Sequence, residues 1–221
     1  MELYTPAYRF WHALKGKDTE KVCYTPLLSL IALGECKYSN LRSQLQRLGY
    51  VFTTQEEANL WLIVTPALTD TGLTTLSEDA RRLQKHIVVY KATGTRATYM
   101  FFSPDSACWS CFERRRRMLD GPATLLHQKL PGLQSISEPA MFTASSLQFA
   151  DAWLTYAIEC FFRADDRTQL SGKVNTLDLK SLQISSDIIP RSAQCSMCAS
   201  SERQSIGAQQ APELDTHKVM I

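Results

Sequence analysis

Two CxxC pairs are the residues of this sequence with the clearest capacity for chemistry. The first pair is Cys108 and Cys111 in CWSC, and the second is Cys195 and Cys198 in CSMC. A CxxC turn brings two sulfurs within reach of one tetrahedral ion, and two turns supply four thiolates with zinc–sulfur distances of about 2.3 Å. Four thiolates leave no position open for water, so such an ion is structural and its binding free energy contributes to folding. We therefore predict one Zn²⁺ per chain, held by these four cysteines.

The alternative is that the two pairs are unrelated, with a redox-active pair at Cys108 and a chance pair at Cys195. A redox CxxC normally opens a helix just after the first strand of its fold, and Cys108 comes too late in the chain for that position. The long gap between the pairs still counts against one shared site, because treble-clef and ribbon sites usually have tighter spacing.

Four arginines, Arg114 to Arg117, follow the first pair directly. They could form a patch for an acidic partner or a phosphate. A zinc ion bound by four thiolates carries a formal charge of about −2, which neighbouring arginines can offset. We favour the second interpretation, a solvated helix face beside an anionic centre.

The remaining thiols and imidazoles give no catalytic constellation, and we predict no catalytic residue. Cys36 stands at the start of a predicted helix, where a thiolate would be stabilised, but nothing else marks it as a nucleophile. Cys160 lies in an apolar segment and is most simply a small core residue. No histidine forms a spaced pair with a carboxylate; the four are His12, His86, His127 and His217.

Composition indicates a globular chain of one main core. The 221 residues are 44% hydrophobic and carry a net charge of +2, which gives no bulk argument for a nucleic acid or a membrane surface. No apolar run reaches the roughly 18 residues of a membrane span, and the first residues lack the apolar stretch of a signal peptide. We expect a cytoplasmic protein, whose seven cysteines stay reduced.

The elements that must position the first pair alternate between strands and helices. LLSLIALG and NLWLIVTP predict strands buried on both faces, and YVFT predicts a short strand. Amphipathic spacing predicts two helices, one with Leu41, Leu45 and Leu48 and one with Leu73, Leu76, Ala80 and Leu83. HIVVYKATG and RATYMFFSP predict a hairpin or two neighbouring strands. This order is typical of a doubly wound α/β sheet.

A second region leads from the first cysteine pair to the other. Residues 112–145 are irregular, and SLQFADAWLTYAIECFF predicts a helix that is largely buried along a face including Phe149 and Trp153. KVNTLDLKSLQISSDIIP predicts strand-like chain before the second pair. We divide the chain into a packing segment at 1–26, one zinc-binding domain at 27–198 and a disordered tail at 199–221.

Four features in a fixed order carry a family resemblance. They are the sheet from Leu27 to about Pro104, then FFSPDSACWSCFERRRR, then GKVNTLDLKSL, and last IPRSAQCSMC. With these features the chain resembles the E1-like, ThiF-related proteins that accompany YcaO enzymes in making thiazole/oxazole-modified microcins. The resemblance implies a degenerate Rossmann-like sheet with a C-terminal helix and strand region closed by a four-cysteine zinc knuckle. It also implies that both cysteine pairs meet on one zinc despite their separation.

The resemblance implies a function as a non-catalytic scaffold subunit of an azoline-forming cyclodehydratase complex. The expected partners are a YcaO-type cyclodehydratase, the precursor peptide and an azoline dehydrogenase, in a homodimer or hetero-oligomer. We expect neither nucleic acid nor membrane as a partner. A zinc-knuckle nucleic-acid module fits less well, because an aromatic–basic stacking strip is missing.

One departure from the family concerns nucleotide chemistry. E1-type enzymes adenylate a carboxylate with a glycine-rich turn after the first strand, where backbone N–H groups approach the phosphates. Here the turn reads ALGECKYSN, with one glycine, and Glu35 places a negative charge where a phosphate would lie. We expect loss of nucleotide binding. The alternative is an ATP-dependent adenylating enzyme that acts on a peptide or sulfur-carrier carboxylate.

A second departure concerns the N-terminal side of the sheet. Family members often begin with a winged-helix module of roughly eighty residues that grips a leader peptide by β-augmentation, whereas here about 26 residues precede the first strand. We expect another subunit to grip the leader, or this chain to bind it differently. Because Tyr4 to Trp11 are rich in aromatics, residues 1–14 are predicted to pack across a subunit boundary, the alternative being that they cover the chain's own sheet.

Overall fold

A seven-stranded mixed sheet forms the centre of the molecule. The computed structural model describes residues 26–36, 38–119, 143–163 and 170–198. The sheet has the order β2-β1-β3-β4-β5-β6-β7. The strands are β1 (Leu27–Ala32), β2 (Val51–Phe52), β3 (Leu60–Val64), β4 (His86–Thr93), β5 (Arg96–Phe102), β6 (Lys173–Asp178) and β7 (Gln183–Ile188). Strands β1 to β4 pair in parallel, and β4 to β7 pair antiparallel.

Four helices of the described chain cover the two faces of the sheet. They are α1 (Ser39–Arg47), α2 (Gly72–Arg82), α3 (Trp109–Leu119) and α4 (Ala144–Arg163). Alternate residues of each strand point to opposite faces, and β3 shows this directly. Its Leu60, Leu62 and Val64 join the core beneath α1 and α4, while Trp61 and Ile63 join the core beneath α2 and α3. The α/β sheet expected from the sequence is thus confirmed.

The hairpin expected from the two apolar runs near residue 94 is also present. Strands β4 and β5 pair antiparallel from Ile87↔Phe102 to Thr93↔Arg96. Gly94 has a φ of 60°, a left-handed value that glycine adopts without strain, in the turn between them.

Two burial predictions are wrong. Strand β1 is buried at Leu28 and Ser29 but partly exposed from Leu30 onward, and its outer neighbour β2 pairs only with Leu27 and Leu28. In α4, Phe149 was expected in the core, yet 53% of its surface is exposed. It lies on the flank of the helix rather than beneath it, in line with Trp153, which contacts Tyr99 at a ring-centroid distance of 4.5 Å.

The irregular stretch expected at residues 112–145 is shorter than the sequence suggested. Helix α3 continues to Leu119, and α4 already begins at Ala144. The residues from Phe112 to Leu119 lack proline and glycine, so nothing in them stops the helix that the first cysteine pair opens. Residues 120–142, where the prolines lie, are outside the described residues.

A buried polar cluster fastens α4 to α1 and the sheet. Asp151 is 1% exposed and accepts hydrogen bonds from the Tyr90 hydroxyl at 3.0 Å and the Asn40 side-chain amide at 3.1 Å. Burial raises the pKa of Asp151, and the two hydrogen bonds oppose that rise. The cluster connects residues 111 positions apart in sequence.

No helix among the described residues has the length and apolar character needed to cross a membrane.

Candidate metal centre

The backbone brings the two cysteine pairs together at one end of the sheet. After β5, the Ser103 carbonyl accepts a hydrogen bond from the Ser106 N–H at 3.1 Å, and this turn leads into Cys108 at the start of α3. After β7, the Ile189 N–H donates to Gly172, whose own N–H donates to Phe101 in β5. The chain that carries the second pair therefore leaves the sheet beside the chain that carries the first.

The close approach of these two segments depends on the backbone conformation of Gly172. Its φ is 70°, a left-handed value that disfavours other residues. A Cβ placed there would lie 3.6 Å from Ser106 Cβ and 3.8 Å from the Ala107 nitrogen. The close passage of the two segments thus occurs where a glycine stands in the sequence GKVNTLDL.

The four sulfurs form a compact, buried group. Cys108 Sγ lies 3.4 Å from Cys195 Sγ, 3.6 Å from Cys198 Sγ and 3.7 Å from Cys111 Sγ, and the Cys111–Cys198 separation is 3.5 Å. All four lie within 4.8 Å of one another, and each cysteine is at most 6% exposed. A tetrahedron of sulfurs about 2.3 Å from a zinc ion has edges of about 3.8 Å. A disulfide would need about 2.05 Å. The separations fit a shared ion and exclude disulfides among these thiols.

The thiols titrate differently when no ion is bound. Burial raises the pKa of Cys108 and of Cys198. Burial also acts to raise the pKa of Cys195, but hydrogen bonds from the Cys198 N–H and from its cysteine neighbours outweigh it and lower the pKa. A cation at the centre would favour all four thiolates over this mixed state.

Groups around the sulfurs join the two halves of the centre. The Ser192 N–H donates to Cys111 Sγ at 3.4 Å. Arg114 donates to Gln194 Oε1 at 2.7 Å and to Ser192 Oγ at 3.5 Å, so an arginine of α3 binds the segment that carries the second pair. A neighbouring arginine, Arg117, pairs with Glu113 at 2.6 Å. These contacts were not foreseen, because sequence pattern alone cannot say which loop lies opposite a given arginine.

The turn expected to have lost its phosphate site lies at the carboxyl ends of β1 and β3. Strand order changes direction there, and α/β sheets commonly bind ligands at such a crevice. Gly34 has a φ of 68°, and a Cβ on it would lie 3.3 Å from Pro66 Cγ. The thiol of Cys36 lies 3.3 Å from the Leu33 carbonyl and 3.7 Å from the Val64 carbonyl. A proline ring and a thiol thus occupy the surroundings of the turn, and Glu35 is exposed at its tip.

The other residues singled out in the sequence lie away from the metal centre. Burial raises the pKa of the Cys36 thiol, with a further contribution from Asp70, so this cysteine lacks the depressed pKa of an activated nucleophile. Cys160 is half-buried on α4. His86 begins β4, and its ring contacts Phe161 at 5.0 Å. His12, His127 and His217 lie outside the described residues.

The class of molecule is set by a seven-stranded mixed α/β sheet carrying a group of four cysteines that could hold a metal ion. The fold is similar to that of a heterocyclase in complex with substrate and cofactor (TM-score 0.65, 22% identity) and of the heterocyclase TruD (0.66, 21%). Each likeness covers 79% of this chain and 25% or 27% of the heterocyclase, so the chain spans about a quarter of those proteins.

A third similar structure is the E. coli microcin synthetase McbBCD complex, with a TM-score of 0.57 and 14% identity. It covers 85% of this chain and 75% of the matched chain. No protein-family model and no curated protein sequence matches the chain. At these identities the likeness shows the fold, and it agrees with the resemblance drawn from the cysteine motifs.

Proposed function

We propose that this protein is a non-catalytic subunit of an azoline-forming cyclodehydratase complex. It helps to present a precursor peptide to a YcaO-type enzyme, which carries out the ATP chemistry. The observation that carries this proposal is the combination of a seven-stranded mixed α/β sheet with a turn after β1 that has one glycine, lying against Pro66. The fold likeness to heterocyclases and to a microcin synthetase complex supports the setting. An azoline dehydrogenase is a further proposed partner.

The crevice at the carboxyl ends of β1 and β3 supports the non-catalytic role. A phosphate site needs unobstructed backbone N–H groups at a helix N-terminus. Here Pro66 lies against the single glycine of the turn, and Glu35 adds a negative charge. The proline ring beside the turn and the added negative charge both disfavour a triphosphate at this position.

We propose that the four cysteines bind one structural Zn²⁺ per chain. All four donors are thiolates when deprotonated, which selects soft or borderline ions, and the tetrahedral separations fit zinc. The ion supplies no open coordination position, so its effect is to hold the segment after β7 against α3.

We also retain the domain division at 1–26, 27–198 and 199–221 as a proposal; nearly all of the first part and all of the last lie outside the described residues.

Two measurements test the proposed function. Isothermal titration of the zinc-loaded protein with ATP and magnesium should give no heat of binding, and pyrophosphate exchange with peptide present should be absent. Micromolar ATP binding that is lost in Glu35→Ala would instead favour the adenylating enzyme.

The second measurement is capture of a YcaO-type enzyme from the native host by the tagged protein. Cys160→Ser should capture the enzyme as wild type does, because Cys160 lies outside the metal centre. Failure of the wild-type, zinc-loaded protein to bind any such enzyme would contradict the scaffold role. A version lacking residues 1–14, which lie outside the described residues, tests whether that segment contributes to assembly.

A further inference from the structure

Strand β7 is a long, exposed edge of the sheet. All six of its residues are exposed, and within the described chain β6 is the strand that pairs with it. The opposite edge strand, β2, has two residues. An edge presents unpaired N–H and C=O groups, and natural proteins usually protect a long edge with proline, lysine, a bulge or a covering element. The sequence QISSDI contains neither proline nor lysine.

The same strand exposes apolar side chains on one face. Ile184 is 61% exposed and Ile188 is 69% exposed. Ile184 pairs with Leu177, which is buried beneath α4, so both isoleucines point to the α4 side of the sheet. On the flank of α4, Phe149 and Tyr156 are 53% and 61% exposed. The isoleucines and this flank lie on one side of the molecule.

The sequence of β7 is self-complementary about one residue. Two copies related by a two-fold axis perpendicular to the sheet pair antiparallel, and opposite residues then point to the same face. With Ser186 on the axis, Ile184 of each copy lies opposite Ile188 of the other, so the interface contains two isoleucine pairs. Asp187 then lies opposite Ser185, whose hydroxyl can donate to the carboxylate. With Asp187 on the axis, two like charges would be opposed, which is unfavourable.

We propose that β7 pairs with β7 of a second copy of this chain, with Ser186 on the two-fold axis. The pairing joins two seven-stranded sheets into one, gives the outward-facing backbone groups of each β7 hydrogen-bond partners, and covers the isoleucines with each other. The interface is independent of which enzyme the protein serves, so it can be tested on the purified chain. It does not involve residues 1–14.

Cysteine cross-linking tests the register. Opposite residues have Cα atoms about 4.5–5.5 Å apart, within disulfide range, whereas diagonal neighbours are about 7–8 Å apart. Ser186→Cys should therefore cross-link to itself under mild oxidation with zinc present. Ser185→Cys and Asp187→Cys should each stay uncross-linked alone but should form a mixed dimer when combined. Wild type, with its seven native cysteines, is the control.

Light scattering tests the association itself. The wild-type protein should have the mass of a dimer at micromolar concentration, and the double variant Ile184→Lys/Ile188→Lys should shift to the monomer mass. Because both side chains are exposed, the substitutions leave the core intact, and circular dichroism checks this. A wild-type monomer at all concentrations would overturn the proposal, as would equal cross-linking of Ser185→Cys and Ser186→Cys. The protein could also be a monomer in which β7 is protected from hydrogen exchange only when an extended peptide is added. That result would overturn the dimer and assign β7 to peptide binding.

Discussion

Replacing Cys195 by serine is predicted to release the metal and to destabilise the fold severely. The centre closes a loop of 87 residues between Cys108 and Cys195. By analogy with a covalent cross-link, closing a loop of that length contributes about 4–5 kcal/mol. Whole domains are stable by only about 5–15 kcal/mol, so this is a large fraction of the total. At about 2–4 °C per kcal/mol for a chain of this size, the midpoint of thermal unfolding should fall by about 8–20 °C.

The assay is thermal unfolding followed by circular dichroism, with metal content measured on the same samples by elemental analysis. Wild type should contain about one zinc per chain, and Cys195→Ser should contain far less. Chelator treatment of wild type should reproduce the low midpoint, and added zinc should restore it. Cys36→Ser and Cys160→Ser are matched controls, because both cysteines lie outside the group of four. Limited proteolysis should cut residues 189–198 faster in the variant than in wild type.

Two outcomes would refute this reasoning. Full zinc occupancy in Cys195→Ser would show that the ion sits elsewhere. A variant that has lost its zinc but unfolds within about 2 °C of wild type would show that the centre closes no loop of energetic consequence, since that shift corresponds to at most about 1 kcal/mol.

Three further predictions concern the groups around the core and the metal centre. Burial raises the pKa of Asp151, so the stability that this side chain contributes is fully present below its unfolded pKa of 3.8 and is lost as pH rises through the folded value. The stability of Asp151→Asn relative to wild type, measured by urea unfolding, should therefore increase between pH 4 and pH 7. A stability difference that does not change with pH would contradict this. Tyr90→Phe removes the hydroxyl donor at 3.0 Å from that carboxylate and should cost about 1–3 kcal/mol at pH 7 by the same assay, with no loss counting against the cluster. Arg114→Gln should lower the free energy of unfolding by at most about 1 kcal/mol, because the arginine is exposed. It should nevertheless speed the transfer of zinc to a competing chelator several-fold, because Arg114 binds Ser192 and Gln194. An unchanged transfer rate would show that the arginine has no part in holding these two residues.

The sheet could be predicted because local pattern decided it. The run NLWLIVTP contains β3, whose five residues are all buried, and the apolar spacing of Leu41 and Leu45 gave a helix that packs on the sheet. The proximity of the cysteine pairs followed from their chemistry and from the resemblance, since no local pattern relates positions 87 apart.

The buried Asp151 cluster could not be predicted in the same way. An aspartate within the apolar segment FADAWLT signals a buried charge, but its partners Tyr90 and Asn40 come from distant elements. The prediction for Phe149 was wrong because hydrophobic period alone does not distinguish a half-exposed flank of a helix from the face that packs on the sheet. The β6–β7 turn does carry a local sequence signal. Asp178 accepts hydrogen bonds from the N–H groups of Lys180 and Ser181, as aspartate often does in turns.

The separation of the cysteine pairs also sets an order of events during synthesis. A ribosome that adds about 5–20 residues per second reaches Cys195 roughly 4–17 s after Cys108, because 87 residues lie between them. Strands β1 to β5 are synthesised before that interval begins, whereas the four-thiolate set is complete only after it ends. Metal loading by all four thiolates must therefore come late in synthesis, after β6 and β7 have also been made. A translation product that stops before Cys195 would retain two adjacent thiols without their partners and would be recognisable as incomplete by its lack of metal.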